Sequence, residues 1–267
     1  MTRLEAAFAK AKLEGRPALI TYVIPGYPSR EETATIFTAM AEGGADIIEV
    51  GIPFSDPLAD GATIQRASFA ALQIGVTPRE CLEFVRAVRP AHPGTPIVLM
   101  TYLNLVLAYG LAEFAADAAA AGADAVIIVD LPPEESGEAS AAFRRDGLDL
   151  IYLVTPTSSD KRMELIASKA SGFIYCVSVA GVTGARQELP PGLDDFLSRV
   201  RRCTILPLAV GFGISRREHI QALTGMADGV VVASAIIDLI AATDRKDRAR
   251  SVCDYMEVLS GRPGPQR

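Results

Sequence analysis

Three features of the sequence indicate α/β architecture, in the form of a single (β/α)8 TIM barrel with an extra N-terminal helix and an additional helix between strands 2 and 3. Eight short apolar, β-branched runs recur along the chain. Helical segments with recognisable starts separate them. No linker or change of composition divides the 267 residues, a length that one closed barrel fills.

The runs are ALITYV (18–23), DIIEV (46–50), PIVLMT (96–101), DAVIIV (124–129), LDLIYLV (148–154), GFIYCV (172–177), TILPLAV (204–210) and DGVVVA (228–233). They are nearly continuously hydrophobic, as strands buried on both faces of a parallel sheet must be. Ser29 with Glu32, Thr77 with Pro78 and Glu80, and Ser215 with Glu218 fit the capping-box pattern of helix starts. Ahead of the first run, MTRLEAAFAKAKLEG reads as a short amphipathic helix. Two helical segments, about 61–74 and 78–90, lie between the second and third strands. One domain over 1–260 and a disordered tail over 261–267 (GRPGPQR) complete the expected organisation.

Composition narrows the function. Net charge is −6 and the basic residues are scattered, which leaves no footprint for nucleic acid or an anionic membrane. No apolar run approaches the roughly 20 residues of a membrane span, and the opening segment does not read as a signal peptide, so the expected compartment is the cytoplasm. Cys81, Cys176, Cys203 and Cys253 are far apart and read as buried thiols. His92 sits in a turn-like HPG segment and His219 in a predicted helix, neither with a catalytic partner nearby in sequence.

In this fold chemistry is built at the carboxyl ends of the strands. Glu49 lies inside an apolar strand, where a carboxylate is costly unless used or paired, and no basic residue precedes Arg66 in its unit. A functional role is therefore favoured over a buried ion pair. The loop that follows carries Asp56 and Asp60, which flanking Pro and Gly would equally explain as turn residues. Closeness to Glu49 makes Asp60 the better helper. The glycine-rich segment 178–192 reads either as a lid over the barrel mouth or as a plain loop. GFGIS (211–215) and ASAI (233–236), after strands seven and eight, read together as a phosphate cup, because glycine admits an anion to the backbone and helix starts offer free N–H groups.

Lys10, Lys12, Lys161, Lys169 and Lys246 all fall away from the carboxyl ends of the predicted strands, which disfavours a Schiff-base aldolase. No histidine cluster is present to hold an enolate-stabilising metal. Carbon–carbon cleavage here would use carboxylates and the substrate's own electrons.

IEVGIPFSDPLADG (48–61) resembles the signature stretch of tryptophan synthase alpha subunits, and ITYVIPGYPS, DLPPEES, AGVTGAR and GFGIS resemble further family segments in the same order and spacing. The resemblance covers essentially the whole chain. It implies that Glu49 is the catalytic acid/base, that Asp60 hydrogen-bonds the indole N–H, and that Tyr175 lies near the glutamate. It further implies that Thr183 closes onto the loop aspartate, that Gly184, Gly213 and Ser234 bind phosphate, and that Tyr22, Met100 and Val129 line the indole pocket. Ala233 stands where many members have glycine, Tyr27 replaces the frequent Asp of a GDP turn, and Met100 occupies a site often leucine. An alanine still donates its N–H.

The implied reaction is retro-aldol cleavage of indole-3-glycerol phosphate to indole and glyceraldehyde 3-phosphate. The implied partner is a beta subunit that carries pyridoxal phosphate in an α2β2 complex, with no cofactor on this chain and Asp56 as a candidate for signalling to the partner. The alternatives are a stand-alone indole-glycerol-phosphate lyase and a non-catalytic activator of the beta subunit, the latter at odds with intact Glu49 and Asp60. A phosphosugar isomerase would leave the 48–61 stretch unexplained.

Overall fold

The computed structural model describes residues 1–177, 190–211 and 213–261. Its strands are β1 (Ala18–Val23), β2 (Ile47–Gly51), β3 (Ile97–Thr101), β4 (Ala125–Ile128), β5 (Asp149–Val154), β6 (Ile174–Val177), β7 (Leu208–Gly211) and β8 (Gly229–Val232), all parallel and closed in sequence order. Each expected run holds a strand: β1 matches its run in full, the others start later or end earlier by up to four residues, and β2 and β7 run one residue further, to Gly51 and Gly211. The largest trim is in the seventh run: β7 begins at Leu208 and Thr204–Pro207 lies outside it. Pro207 has no N–H to give a ladder, which fits its place just before the strand.

Around them, among the described residues, run α1 (Arg3–Leu13), α2 (Arg30–Glu42), α3 (Ala62–Gln73), α4 (Pro78–Val88), α5 (Leu103–Tyr109), α6 (Leu111–Ala121), α7 (Gly137–Arg145), α8 (Asp160–Lys169), α9 (Leu193–Cys203), α10 (Arg217–Ala222), α11 (Ser234–Ala242) and α12 (Arg248–Ser260). Both segments expected between β2 and β3 are present as α3 and α4. A further pair, α5 and α6, lies between β3 and β4. These two meet at Gly110, whose φ of +101° suits glycine, and bend by 95°. Among the described residues no single helix is long and apolar enough to cross a membrane.

The three expected capping boxes fare differently. Thr77 and Glu80 form one. Ser29 precedes its helix, but its hydroxyl donates to the Glu32 carboxylate at 3.1 Å and caps no backbone N–H. Ser215 lies outside α10, which starts at Arg217; the Ser215 carbonyl accepts from the Tyr255 hydroxyl at 2.7 Å. Thr2 and Glu5 form a further box, at α1, beyond the three expected. Cys81, Cys176 and Cys253 are buried as expected, but Cys203, at the end of a surface helix, is only half-buried.

Alternation along each strand divides the core into two shells. Outward residues such as Leu19, Ile48, Leu99 and Val126 pack under the helices. Inward residues, among them Ile20, Ile47, Val98, Ile127, Ile151 and Ala209, fill the barrel. Leu4, Phe8 and Ala11 of α1 join this inner shell and close the amino-terminal mouth. Phe8 packs on Phe173 with ring centroids 5.6 Å apart.

At that mouth three aspartates repeat one device. Asp46 accepts the Leu19 N–H, Asp124 the Ile97 N–H and Asp228 the Leu208 N–H, each at 2.8 Å. Each aspartate is also paired with an arginine: Arg16, Arg89 and Arg201 respectively. An N–H at the start of an odd-numbered strand, on the second residue of β1 and the first of β3 and β7, is thereby bonded by the residue just before the next strand.

Candidate active site

A cavity of about 440 Å³ opens at the carboxyl ends of the strands. Its walls follow from the alternation: Tyr22, Glu49, Met100, Val129, Leu153, Tyr175 and Gly211 each lie two residues beyond an inward residue (Ile20, Ile47, Val98, Ile127, Ile151, Phe173 and Ala209), Val231 is itself inward, and all line it. Asp60, Gly213, Ala233 and Ser234 line it from the loops above. Three clefts among the described residues are larger: two, of about 900 and 930 Å³, flank α1 on the opposite face, and one of about 480 Å³ lies around Cys203–Leu206. They contain no carboxyl strand end, and the chemistry of this fold sits at those ends.

Glu49 is 1% exposed, and its Oε1 has no hydrogen-bond partner among the described residues. Burial pushes its carboxyl up to about 8, so at neutral pH it holds its proton. Tyr22 stands beside Glu49 in the β1–β2 register. The Tyr22 and Tyr175 phenols are raised well above their ordinary value, first by burial and then by the negative fields of Glu49 and Asp60. Both phenols are therefore neutral.

Two glycines make room for these rings. A Cβ on Gly51 would collide with the Tyr22 phenol, and one on Gly211 would lie 2.7 Å from the Tyr175 hydroxyl. Each tyrosine leans over the next strand into the space where a side chain is missing.

Asp60 ends the loop after β2. Burial raises its carboxyl, while the nearby Tyr102 hydroxyl opposes that rise. Asp56, on the same loop, is exposed and accepts the Ser55 hydroxyl at 2.5 Å. Gly213 has a φ of +67°, in the left-handed region, and Ser234 is the buried first residue of α11. Helix-start N–H groups lacking intrahelical partners face an anion well, and the macrodipole adds to the attraction.

The structure thus brings together Glu49, Asp60, Tyr22, Met100, Val129, Tyr175, Gly213 and Ser234, and leaves Asp56 outside the cavity. Thr183, Gly184 and most of the expected lid lie outside the described residues. Sequence reasoning had not picked out Leu153 and Val231, which counting in twos from Ile151 and Gly229 would have found. It had also missed Tyr102, signalled only by its place next to the last residue of β3, and the wall formed by Thr155, Ser158 and Arg162.

A barrel with a protonated buried carboxyl facing apolar and aromatic walls is an acid–base enzyme of the (β/α)8 class. The family described as tryptophan synthase alpha chain matches residues 8–261. The tryptophan synthase alpha chain of Roseiflexus castenholzii is 49% identical over 261 residues, covering 98% of this chain and 100% of that one. The alpha chain of Geobacter sulfurreducens is 45% identical, covering 97% of this chain and 98% of that one. In a structure of Mycobacterium tuberculosis tryptophan synthase, a chain 38% identical superposes with a TM-score of 0.89, covering 97% of both chains. The chain belongs to the tryptophan synthase alpha chain family, the lyases that cleave indole-3-glycerol phosphate.

Proposed function

We propose that Glu49 and Asp60 carry the cleavage of indole-3-glycerol phosphate in this chain, with the indole ring between Tyr22, Met100, Val129 and Tyr175. The observation that supports this best is the buried Glu49 at the cavity wall, whose Oε1 has no partner among the described residues and whose carboxyl burial pushes up to about 8. A buried acid with an unused oxygen is poised to give a proton to a bound ring.

In this reading Glu49 protonates the ring carbon that bears the side chain, and positive charge appears at the ring nitrogen. The resulting Glu49 carboxylate takes the proton of the adjacent side-chain hydroxyl. The carbon–carbon bond then breaks, its electrons return to the ring, and indole and glyceraldehyde 3-phosphate leave. Asp60 stabilises the charge at the ring nitrogen. Backbone N–H groups around Gly213 and Ser234 hold the phosphate. Thr183 and Gly184 enter on the family resemblance alone, as closure onto Asp60 and as a phosphate contact.

The same reading has indole passed to a beta subunit in an α2β2 complex, where pyridoxal phosphate serves the second reaction and none is carried by this chain. It has Asp56, exposed on the loop that ends in Asp60, signal to that partner, and it has the complex act in the cytoplasm. One domain spans 1–260.

Asp60→Asn tests the charge-stabilising role. The expected result is a loss of turnover of about 100-fold or more with the melting temperature retained; turnover within about twofold of wild type would remove Asp60 from the mechanism.

A further inference from the structure

We propose that Tyr102 positions Asp60, gripping the loop after β2 at both ends of its ring and donating its hydroxyl to the carboxylate. The proposal rests on the charge-stabilising role of Asp60 above.

Tyr102 follows the last residue of β3 and is only 4% exposed. The next residue is pinned, because the Leu103 N–H donates to Asp130 at 2.7 Å. From this fixed base the ring reaches across to the loop. Its face packs on Phe54, with ring centroids 5.1 Å apart and planes inclined by 32°. Its hydroxyl accepts the Ala59 N–H at 3.3 Å. A phenol has one proton, and with the oxygen already accepting from Ala59, the neighbour of Asp60, that proton is left for the Asp60 carboxylate.

Other contacts hold the loop by its backbone. The Ile52 N–H donates to the Met100 carbonyl at 2.9 Å, and the Gln65 amide to the Asp60 carbonyl at 2.8 Å. Among the described residues, the titratable groups around the Asp60 carboxylate are Tyr102 at the end of β3, Tyr22 on β1 and Tyr175 on β6. Glu49 on β2 shares the two strand tyrosines, and Asp130 faces Tyr102 from beyond β4. None of these is a cation, so the Tyr102 proton is what favours the charged form of Asp60 that a developing ring cation needs. Phe54 and Ala59 fix where that charge stands.

The test is the pH profile of kcat/KM for indole-3-glycerol phosphate cleavage by the full chain, for wild type, Tyr102→Phe, Asp60→Asn and the double variant. Phenylalanine keeps the packing on Phe54. Without the hydroxyl the Asp60 carboxyl rises, so the acid limb is expected to move up by about half a pH unit or more, with the alkaline limb unmoved. In the Asp60→Asn background Tyr102→Phe should change turnover by less than about twofold.

A chain carrying 3-fluorotyrosine at position 102, a stronger donor that preserves the packing, should move the acid limb the other way, and it supplies the answer if Tyr102→Phe fails to fold. An acid limb that stays put in the variant that folds, or a loss that multiplies on top of Asp60→Asn, overturns the positioning role. If Asp60→Asn alone turns over normally, it is the Asp60 mechanism that fails; an impaired Asp60→Asn beside an unmoved limb sinks the Tyr102 role only.

Discussion

Glu49 is expensive for the folded chain, and the sign of the cost can be worked out. Burial raises its folded value to about 8 from the ordinary 4.5, so between those two values the folded state binds more protons than the unfolded state. Stability contributed by this group is therefore complete below pH 4.5 and lost as pH rises toward 8, levelling beyond it. At pH 7 the penalty is on the order of 3 kcal/mol. Glu49→Gln keeps the shape and removes the titration, so the variant should be inactive yet more stable than wild type at pH 8, with the gap nearly closed at pH 5. Urea unfolding at the two pH values measures it, and a gap that does not change with pH would contradict the burial account. Glu49 was legible in the sequence because a carboxylate stands out in an apolar strand. Tyr102 was not, because an aromatic residue at a strand end looks like core until the loop it touches is placed. The Gly51 and Gly211 recesses were equally hidden, since each exists only against a ring on the neighbouring strand.

The strands owe part of their register to the aspartates beneath them. Asp124 joins the Ile97 N–H to the Arg89 and Arg3 guanidinium groups, so it ties the start of β3 to the turn before β4 and to α1. Asp124→Ala would orphan a strand N–H and leave Arg89 half-buried without its partner. A loss of about 3 kcal/mol is expected, read as a lower urea midpoint at an unchanged slope. The strand cores were readable because runs of β-branched residues buried on both faces leave a strong pattern. Their ends were less so: β7 is shortened by Pro207, and Ser215 gives its carbonyl to Tyr255 instead of capping α10. The aspartates preceding β2, β4 and β8 were visible as residues, but their role depends on the neighbouring strand, which no local pattern reveals.

At the scale of the whole barrel the two mouths have separate duties: α1 closes one with apolar packing, and the other holds the carboxyls. Phe8 is 6% exposed among Phe173 and its neighbours. Phe8→Ala should cost about 3–5 kcal/mol and lower Tm by roughly 6–15 °C, while indole release at low temperature stays near wild type. Thermal melts beside an activity assay separate the two effects, and a matching fall in activity would show that the mouths are coupled. The eight-unit order and the family stretch over 48–61 were legible in the sequence, whereas the cavity required strands distant in sequence to close on one another. The most direct test of the account is indole release from indole-3-glycerol phosphate by the purified chain, with and without a beta subunit, against Glu49→Gln. The account predicts slow release by the chain alone, faster release with the partner, and none from a folded Glu49→Gln in either setting. Equal release from wild type and the variant, or none from wild type even with the partner, would contradict it.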